Sequence, residues 1–426
     1  MEVGRISETQ YEGFFFDLSY NLHMKQGVTF RLSVMMFLQF FVWGGWYVTI
    51  GNYMTAVGMN AVTHWAYTVG PLAAVISPFF LGIIADRFFS VEKVLGVMHL
   101  LAGGALLVTP LFETKPLFFV LGLGMHMLFY MPTLGLTNSM AFHHILDKKR
   151  QFPLIRVFGT IGWIAAGVLV SAILKADATS LPLLVAGAAG ILLGLYSFSL
   201  PHTPPPAVSA KFSLRQIIGV DALAQLRGSA FWIFITCSFF LCIPLAAYYN
   251  FAPIFVNDLG ISDPAFRMSF GQMSEVVFMI SMPWFFRRLG VKWMLVVGAG
   301  SWALRYGLFA LGAPTGASAM ILGGIVLHGI CYDFFFVTGQ IYVDQKANPA
   351  IRAQAQGFLV LVTHGVGMLI GAQAAGFIFT HFLGESTSLT TEQWTQFWIV
   401  PAALAGVIVL LFAVAFRDRS VDSTDS

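Results

Sequence analysis

The chain has 426 residues, of which 57% are hydrophobic and only 10% are charged, with a formal net charge of +3 and a mean hydropathy of +0.77. Soluble domains carry about 25% charged residues, so a water-soluble fold of this composition would lack polar residues for its exterior. The small net charge argues against nucleic acid as a partner. We expect an all-α membrane protein whose exterior contacts the lipid bilayer.

Apolar runs of the length that crosses a bilayer, about 20 residues each, recur along the whole chain. We predict twelve transmembrane helices and number them span one to span twelve in chain order. The spans cover 31–53, 63–85, 93–112, 117–144, 154–174, 181–200, 231–256, 268–286, 292–312, 316–343, 351–381 and 395–416.

One long polar interruption separates spans six and seven. It opens with the proline-rich stretch Pro201-His-Thr-Pro-Pro-Pro206, through which no helix continues. Met24 directly precedes the first long apolar run, so residues before it are predicted to be a disordered extension or to lie upstream of the authentic start. The predicted division is an extension at 1–26, a six-helix bundle at 27–200, a linker at 201–228, a second six-helix bundle at 229–418 and a tail at 419–426.

Basic residues are distributed unequally between the two sides of the predicted membrane. If the spans alternate in direction, Arg287, Arg288 and the bases of the linker fall on one side. The other side holds only Lys115, Lys175 and Arg267. Because loops rich in Lys and Arg stay in the cytoplasm, both termini and the linker are predicted to be cytoplasmic.

The two halves share a loop pattern. Asp147-Lys-Lys-Arg-Gln-Phe-Pro-Leu-Ile-Arg156 follows span four, and Asp344-Gln-Lys-Ala-Asn-Pro-Ala-Ile-Arg352 follows span ten. An acid, a proline and an arginine therefore recur at similar spacing in equivalent loops. This pattern indicates the parallel internal repeat found in some transporters.

No pattern in the sequence indicates an enzyme, a cofactor or a metal site. The three cysteines, Cys237, Cys242 and Cys331, lie inside apolar runs and are predicted to be buried thiols rather than disulfides or ligands. The chain also lacks a metal-ligand cluster, a phosphate-binding glycine loop and a nucleophile elbow.

Two carboxylates interrupt the apolar spans and are the strongest indication of function. Glu275 lies about two turns into span eight, and Asp333 lies near the middle of span ten. Ionisable residues in a membrane are costly and are usually functional. Since a carboxyl group removed from water holds a proton more readily, we predict proton coupling at both. The structural alternative is an ion pair with Arg305 of span nine.

Polar and aromatic residues on spans five and eight share helix faces. Arg156, Thr160 and Trp163 lie at positions i, i+4 and i+7, and Gln272 lies three residues before Glu275. A base, a hydroxyl and an indole on one face suit a polar aromatic solute, so all five residues are predicted to bind substrate. For Arg156 the alternative is an anchor at the helix end.

Spans seven and ten add aromatic candidates. His328 and Tyr332 are four residues apart on span ten, whereas Asp333 lies about 100° round the helix from Tyr332. Tyr249, between Tyr248 and Asn250 on span seven, completes the predicted substrate-binding set. For span seven, packing of interfacial aromatic residues is an equally open interpretation.

Other polar residues in the spans are ambiguous. Gln39, Trp43 and Trp46 share one face of span one, where binding and helix packing are both open. His126 and His364 are predicted to be packed helix residues.

The end of span two carries a candidate gating pair. Gly82 precedes Asp86 and Arg87 by four and five residues, a pattern that resembles the conserved loop motif of the major facilitator superfamily. The resemblance implies that the charged pair latches one conformational state. The alternative is an ordinary charged helix end, because Phe88-Phe-Ser90 departs from the motif. Six spans, a basic linker and six more spans match the same superfamily.

Several stretches, in the same order along the chain, resemble the bacterial nucleoside:proton symporter family of that superfamily. They are Phe41-Val-Trp-Gly-Gly-Trp46, Met131-Pro-Thr-Leu-Gly-Leu-Thr-Asn-Ser139, Arg156-Val-Phe-Gly-Thr-Ile-Gly-Trp163, Gly271-Gln-Met-Ser-Glu275, Leu304-Arg-Tyr-Gly-Leu-Phe309 and Tyr332-Asp-Phe334.

This resemblance implies a monomeric carrier in the bacterial inner membrane that imports nucleosides with protons by alternating access. The family's binding residues map onto Arg156, Thr160, Gln272 and Glu275, and its proton-coupled acid maps onto Asp333.

Spans seven and ten depart from the family pattern. Ala246 and Tyr249 stand where amides are usual, and His328 and Tyr332 stand where Tyr and Phe are usual. Two alternatives therefore stay open: a proton symporter for another polar solute such as a sugar, and a membrane receptor that binds without transporting.

Overall fold

A computed structural model describes residues 8–84, 89–146, 148–204, 226, 228–348 and 351–417, and for 8–26, 78–84, 148–150 and 353 it describes the backbone alone. Within these ranges the regular secondary structure is helical, without a strand. The all-α class is therefore confirmed. Asp86, Arg87, most of the linker and the C-terminal tail lie outside the described residues.

Each predicted span of the first half coincides with a helix. A π-helical segment at Val168–Ile173 continues span five. The helices are Glu8–Tyr47 followed by Ile50–Ala56, then Thr63–Ile84, Val91–Val108, Pro116–His144, Lys148–Gly167 and Leu181–Ser197.

The second half is also helical, and two of its spans contain π-helical segments, at Asp333–Val337 and Leu361–Gly367. Spans eight and nine are joined at Gly290, whose φ of 63° breaks the helix. The helices are Ser229–Asp258, Pro264–Gly312, Ser318–Val326, His328–Tyr332, Thr338–Lys346, Arg352–Val360, Met368–Leu383 and Thr391–Ala415.

The described helices are consistent with twelve crossings. Nine of them are long and apolar enough to cross a membrane, and one of these, Pro264–Gly312, covers two predicted spans. Thr63–Ile84 and the shorter apolar helix Leu181–Ser197 supply two more.

Local sequence explains where several helices begin. Pro116 and Pro264 occupy first-turn positions, where proline's missing N–H costs nothing. Span twelve starts with a capping box, in which the Thr390 hydroxyl accepts a bond from the Gln393 backbone N–H and the Gln393 side chain accepts one from the Thr390 N–H.

Helix packing repeats between the two halves. Span one packs against span five and span three against span six, as span seven packs against span eleven and span nine against span twelve. Between the halves, span two meets span eleven and span five meets span eight. Adding six to each span number of the first half and subtracting six from each number of the second half gives the equivalent pair, so the structure contains the parallel repeat that the loop pattern indicated.

The outer surface is apolar. Large side chains such as Leu117, Ile280, Phe377 and Val414 are exposed on the outsides of their helices. Lipid accepts such a surface because a helix satisfies most of its backbone polar groups internally.

Small residues let neighbouring helices approach closely in the first half. A Cβ placed on Gly103 of span three would lie 2.7 Å from the carbonyl oxygen of Gly187 and 2.8 Å from the backbone nitrogen of Ile191, both on span six. A Cβ on the adjacent Gly104 would meet no atom within 4 Å. Close backbone packing of this kind stabilises membrane helix pairs.

We expect Gly103→Ala to destabilise the protein by about 1–3 kcal/mol, because backbone atoms of span six cannot move aside without separating the two helices. Thermal unfolding in detergent, followed by tryptophan fluorescence, measures the effect. Gly104→Ala is the matched control and should leave the melting temperature unchanged or raise it, since alanine favours helix. Equal melting temperatures for the two variants would contradict this packing.

Candidate functional site

Aromatic side chains from both halves meet near the centre of the molecule. The ring centroids of Trp43 and Trp163 are 5.6 Å apart, and those of Tyr47 and Tyr249 are 6.1 Å apart across the boundary between the halves. Each pair has an edge-to-face arrangement, which favours aromatic packing. We name this group the aromatic cleft; it comprises Trp43, Tyr47, Trp163, Tyr249, His328 and Tyr332.

Arg156 and Glu275 lie beside the aromatic cleft, one in each half. The Arg156 guanidinium lies 4.1 Å from the ring centroid of Phe40, a cation–π contact. It also interacts electrostatically with Glu275 and Tyr332. The Glu275 side chain keeps 21% of its surface exposed, and its Oε2 lies 3.9 Å from Nε2 of His328. The predicted base and acid therefore belong to the same part of the molecule, without a direct ion pair between them among the described residues.

The other polar candidates occupy the same helices. Thr160 is half-buried, one turn from Arg156 on span five. Gln272 is also half-buried, and its Oε1 is buried without a hydrogen-bond partner. An unpartnered buried amide oxygen is costly and suits a ligand that donates a bond.

Asp333 is the most isolated of the candidate residues. Its side chain is completely buried, and neither carboxylate oxygen has a hydrogen-bond partner among the described residues. It begins the π-helix Asp333–Val337, a type of segment that is frequent at functional sites. The side chains of Tyr332 and Asp333 occupy different environments. Tyr332 belongs to the aromatic cleft, whereas Asp333 is completely buried.

Arg305 does not pair with either carboxylate in the part of the chain that the structure describes. Its Nε donates to the carbonyl oxygen of Gly324 at 3.0 Å. Its guanidinium lies 4.0 Å from the ring centroid of Tyr248 and 4.9 Å from that of Trp302. The structural alternative for the two acids, an ion pair with Arg305, is therefore absent from this conformation.

Span seven presents its polar residues in different directions. Tyr249 lies at the aromatic cleft, with its ring 5.9 Å from that of His328. Tyr248 is buried behind it and stacks on His328 at 5.3 Å with an interplanar angle of 17°. Asn250 is fully buried, and its amide has no described partner. Only Tyr249 of this group reaches the cleft.

Of the three residues that share one face of span one, Trp43 belongs to the aromatic cleft, whereas Gln39 and Trp46 do not. Gln39 is fully buried, where its amide donates to Thr133 Oγ1 at 2.8 Å and accepts from His99 at 2.8 Å. Trp46 is fully buried against His126. For Gln39 and Trp46 the packing interpretation holds.

Sequence reasoning missed three residues at the site. Tyr47 follows Trp43 by one helical turn and belongs to the aromatic cleft. Phe40 supports Arg156. His364, predicted to be a packed residue, has its Nε2 3.4 Å from the Tyr332 hydroxyl. An ionisable residue inside a span is a functional signal, and that signal could have identified His364.

Polar contacts join the two halves on the side opposite the linker, which we call the far face. Lys175, after span five, bonds both carboxylate oxygens of Asp263, before span eight, at 2.7 and 2.8 Å. Asp177 accepts bonds from the Ala265 backbone N–H at 2.9 Å and from the Ser171 hydroxyl at 2.7 Å. We name Lys175, Asp177, Asp263 and Ala265 the far-face clasp.

Every described hydrogen bond between the halves lies toward this same side. Besides the far-face clasp, Asn60 donates to the Thr387 carbonyl oxygen, and Gln373 donates to Thr68 Oγ1 at 2.7 Å. These contacts hold the two halves together at the far face.

Comparison with known proteins agrees with this architecture. The chain is 38% identical to YegT of Escherichia coli (strain K12) over 407 residues, which cover 93% of this chain and 95% of YegT. It is 32% identical to the xanthosine permease of the same organism, over 92% of this chain and 96% of the permease. A crystal structure of the nucleoside transporter NupG superposes with a TM-score of 0.81 at 28% identity, covering 92% of this chain and 100% of that chain.

A family model gives the assignment. The model described as Nucleoside H+ symporter matches residues 26–421, which is nearly the whole chain. The match agrees with the all-helical architecture and with the superposition on NupG. The chain therefore belongs to the nucleoside H+ symporter family of transporters and has the major facilitator fold.

Proposed function

We propose that the protein carries a nucleoside and a proton together across the bacterial inner membrane by alternating access, with Asp333 as the principal proton carrier. The observation that carries this proposal is the isolation of Asp333, a buried carboxyl group with no bonding partner among the described residues. A charge in such a place is costly unless it is neutralised. A proton is the natural neutralising ligand.

Glu275 is proposed to couple the proton to the substrate. It interacts electrostatically with both Asp333 and Arg156, so a proton on either acid changes the field at the substrate-binding arginine. Unlike Asp333 it is partly exposed, which suits a residue that exchanges protons and contacts a ligand.

The aromatic cleft is proposed to hold the base of the nucleoside. Its rings offer faces for stacking, which is the usual recognition of a planar heterocycle. Arg156, Thr160, Gln272 and Glu275, on spans five and eight, are proposed to supply donors and acceptors that suit ribose hydroxyls and base edges. Mostly aromatic walls with a few polar groups are typical of a small-molecule site.

The far-face clasp is proposed to be one of the two gates. Lys175 and Asp263 have left-handed backbones, with φ of 50° and 58°, and are the two non-glycine residues with positive φ in the described chain. This conformation costs about 1–2 kcal/mol per residue, and such strain is typical of switch regions. Asp86 and Arg87 are the proposed gating pair near the linker, although they lie outside the described residues.

The remaining assignments concern arrangement in the membrane. The excess of basic residues in loops on the linker side supports a protein with both termini in the cytoplasm. The proposed division keeps bundles at 27–200 and 229–418, an extension at 1–26, a linker at 201–228 and a tail at 419–426. The proposed transporting unit is a monomer, since one chain supplies both walls of the site.

Asp333→Asn should abolish accumulation of labelled uridine against its gradient in proteoliposomes with an inwardly directed proton gradient, because an amide cannot carry the proton. Asp258→Asn is the matched control. Asp258 accepts a bond from Trp394 Nε1 at 3.0 Å, which asparagine can also accept, so uptake should persist. Uphill uptake by Asp333→Asn equal to that of the wild type would exclude Asp333 as the proton carrier.

Arg156→Ala should raise the dissociation constant for uridine about tenfold or more, because hydrogen bonds to charged groups contribute about 1.5–3 kcal/mol. Isothermal titration of purified protein measures this. Arg288→Ala, which removes an arginine stacked on Trp284 away from the site, is the control. An unchanged dissociation constant would refute contact with substrate, and displacement of uridine by sugars would favour the alternative solute.

Lys175→Met and Asp263→Asn should each open the far face, because each removes one charge of the ion pair. Methionine is similar in length to lysine, and asparagine tolerates the left-handed backbone conformation of Asp263. Spin labels on Ala178→Cys and Glu385→Cys, in opposite halves, should report longer distances than in the parent. Lys115→Met, a change confined to one half on the same face, should not alter them. Distances unchanged in all three variants would exclude the far-face clasp as a gate.

A further inference from the structure

Tyr332 contacts a histidine outside the predicted site. Its hydroxyl lies 3.4 Å from Nε2 of His364 on span eleven. The His364 ring also packs against Phe336, with centroids 5.6 Å apart. Both partners lie at or beside π-helical segments: Tyr332 directly precedes the π-helix Asp333–Val337, and His364 lies within the π-helix Leu361–Gly367. The contact therefore joins two segments of a type that is frequent at functional sites.

The hydrogen bonds around His364 fix its tautomer when the ring is neutral. The Thr363 hydroxyl donates to the Leu359 carbonyl oxygen at 2.7 Å, so its proton is committed. The same oxygen lies 3.0 Å from Nδ1 of His364 and must accept from it. A neutral imidazole has one N–H, so its Nε2 is an acceptor. The Tyr332 hydroxyl is therefore the donor in the bond to His364.

This arrangement determines what Tyr332 can offer a ligand. With its proton directed to His364, the phenolic oxygen presents lone pairs alone. The Tyr332 ring lies 5.9 Å from the ring of His328, whose Nε2 lies 3.9 Å from Oε2 of Glu275, which places Tyr332 at the proposed substrate site. We propose that His364 is a positioning residue that holds Tyr332 as an acceptor and thereby selects nucleosides whose base presents an N–H at that point.

The selected chemical class follows from the ring edges of the bases. Uridine carries an N–H at ring position three, where cytidine has a lone pair. Inosine and adenosine differ in the same way at ring position one. A lone pair facing the lone pairs of Tyr332 leaves a buried acceptor unsatisfied, which lowers affinity. Ribose hydroxyls both donate and accept, so they would not discriminate. This inference rests on the proposed nucleoside transport.

The test compares dissociation constants for uridine and cytidine in the purified protein and its variants. The wild type should prefer uridine, and His364→Leu should reduce that preference about five- to tenfold, because the Tyr332 hydroxyl is then free to rotate and donate. His364→Gln, whose carbonyl oxygen still accepts a bond, should retain most of it. His381→Leu, an exposed histidine at the other end of span eleven, is the control and should change nothing.

A purely structural role for His364 predicts a different result. In that case His364→Leu would weaken the binding of uridine and cytidine equally. An unchanged ratio of their dissociation constants would overturn the inference. Tyr332→Phe should also lose the preference, and adding His364→Leu to it should cause no further change in the ratio. A further change would show that His364 acts independently of Tyr332 and would overturn the inference as well.

The same data distinguish failure of the proposed function from failure of the inference about His364. A wild type that binds none of uridine, cytidine, inosine and adenosine would refute the proposed function, and the inference would fall with it. A wild type that binds uridine, with a ratio that His364→Leu does not change, would refute the inference alone.

Discussion

Carboxyl groups at the centre of an otherwise apolar membrane protein impose the main constraint on this structure. Asp333 is completely buried without a partner in the described chain, and Glu275 interacts electrostatically with both Asp333 and Arg156. Burying a charge without compensation costs several kcal/mol or more. A proton or a ligand would balance the charge of these groups, and the proposed coupling between proton and substrate follows from that need. The aromatic cleft and the polar residues around it are arranged about this centre.

The internal repeat explains how two bundles create one shared site. Because span five meets span eight and span two meets span eleven, each half contributes one helix of every boundary pair. Arg156 and Trp163 thus approach Glu275 and Tyr249 from the opposite half. π-helical segments occur in both members of one repeat pair, at Val168–Ile173 on span five and Leu361–Gly367 on span eleven. A π-turn shifts the helix face, so it re-aims the residues that follow it.

The far-face clasp is built from contacts that suit the proposed gate. An exposed ion pair contributes at most about 1 kcal/mol, and in this one both partners have left-handed backbones. The clasp is therefore a weak lock held by strained residues, in contrast to the close packing of Gly103 against span six within one half. A boundary that must open repeatedly benefits from contacts of this modest strength.

The sequence by itself determined the all-helical membrane class and most of the spans to within a few residues, because the apolar length that crosses a bilayer is fixed by its thickness. The exception is the first helix, which begins at Glu8 rather than at residue 31. It also identified Glu275, Asp333 and Arg156, since charges in apolar runs are conspicuous. Only the tertiary structure decided which of them meet. Helical spacing gives the face of a residue but not the neighbour of that face, so Tyr47 and His364 were missed and Arg305 was left as a possible partner of the acids. Those outcomes depend on contacts between helices far apart in the chain, which no local pattern encodes.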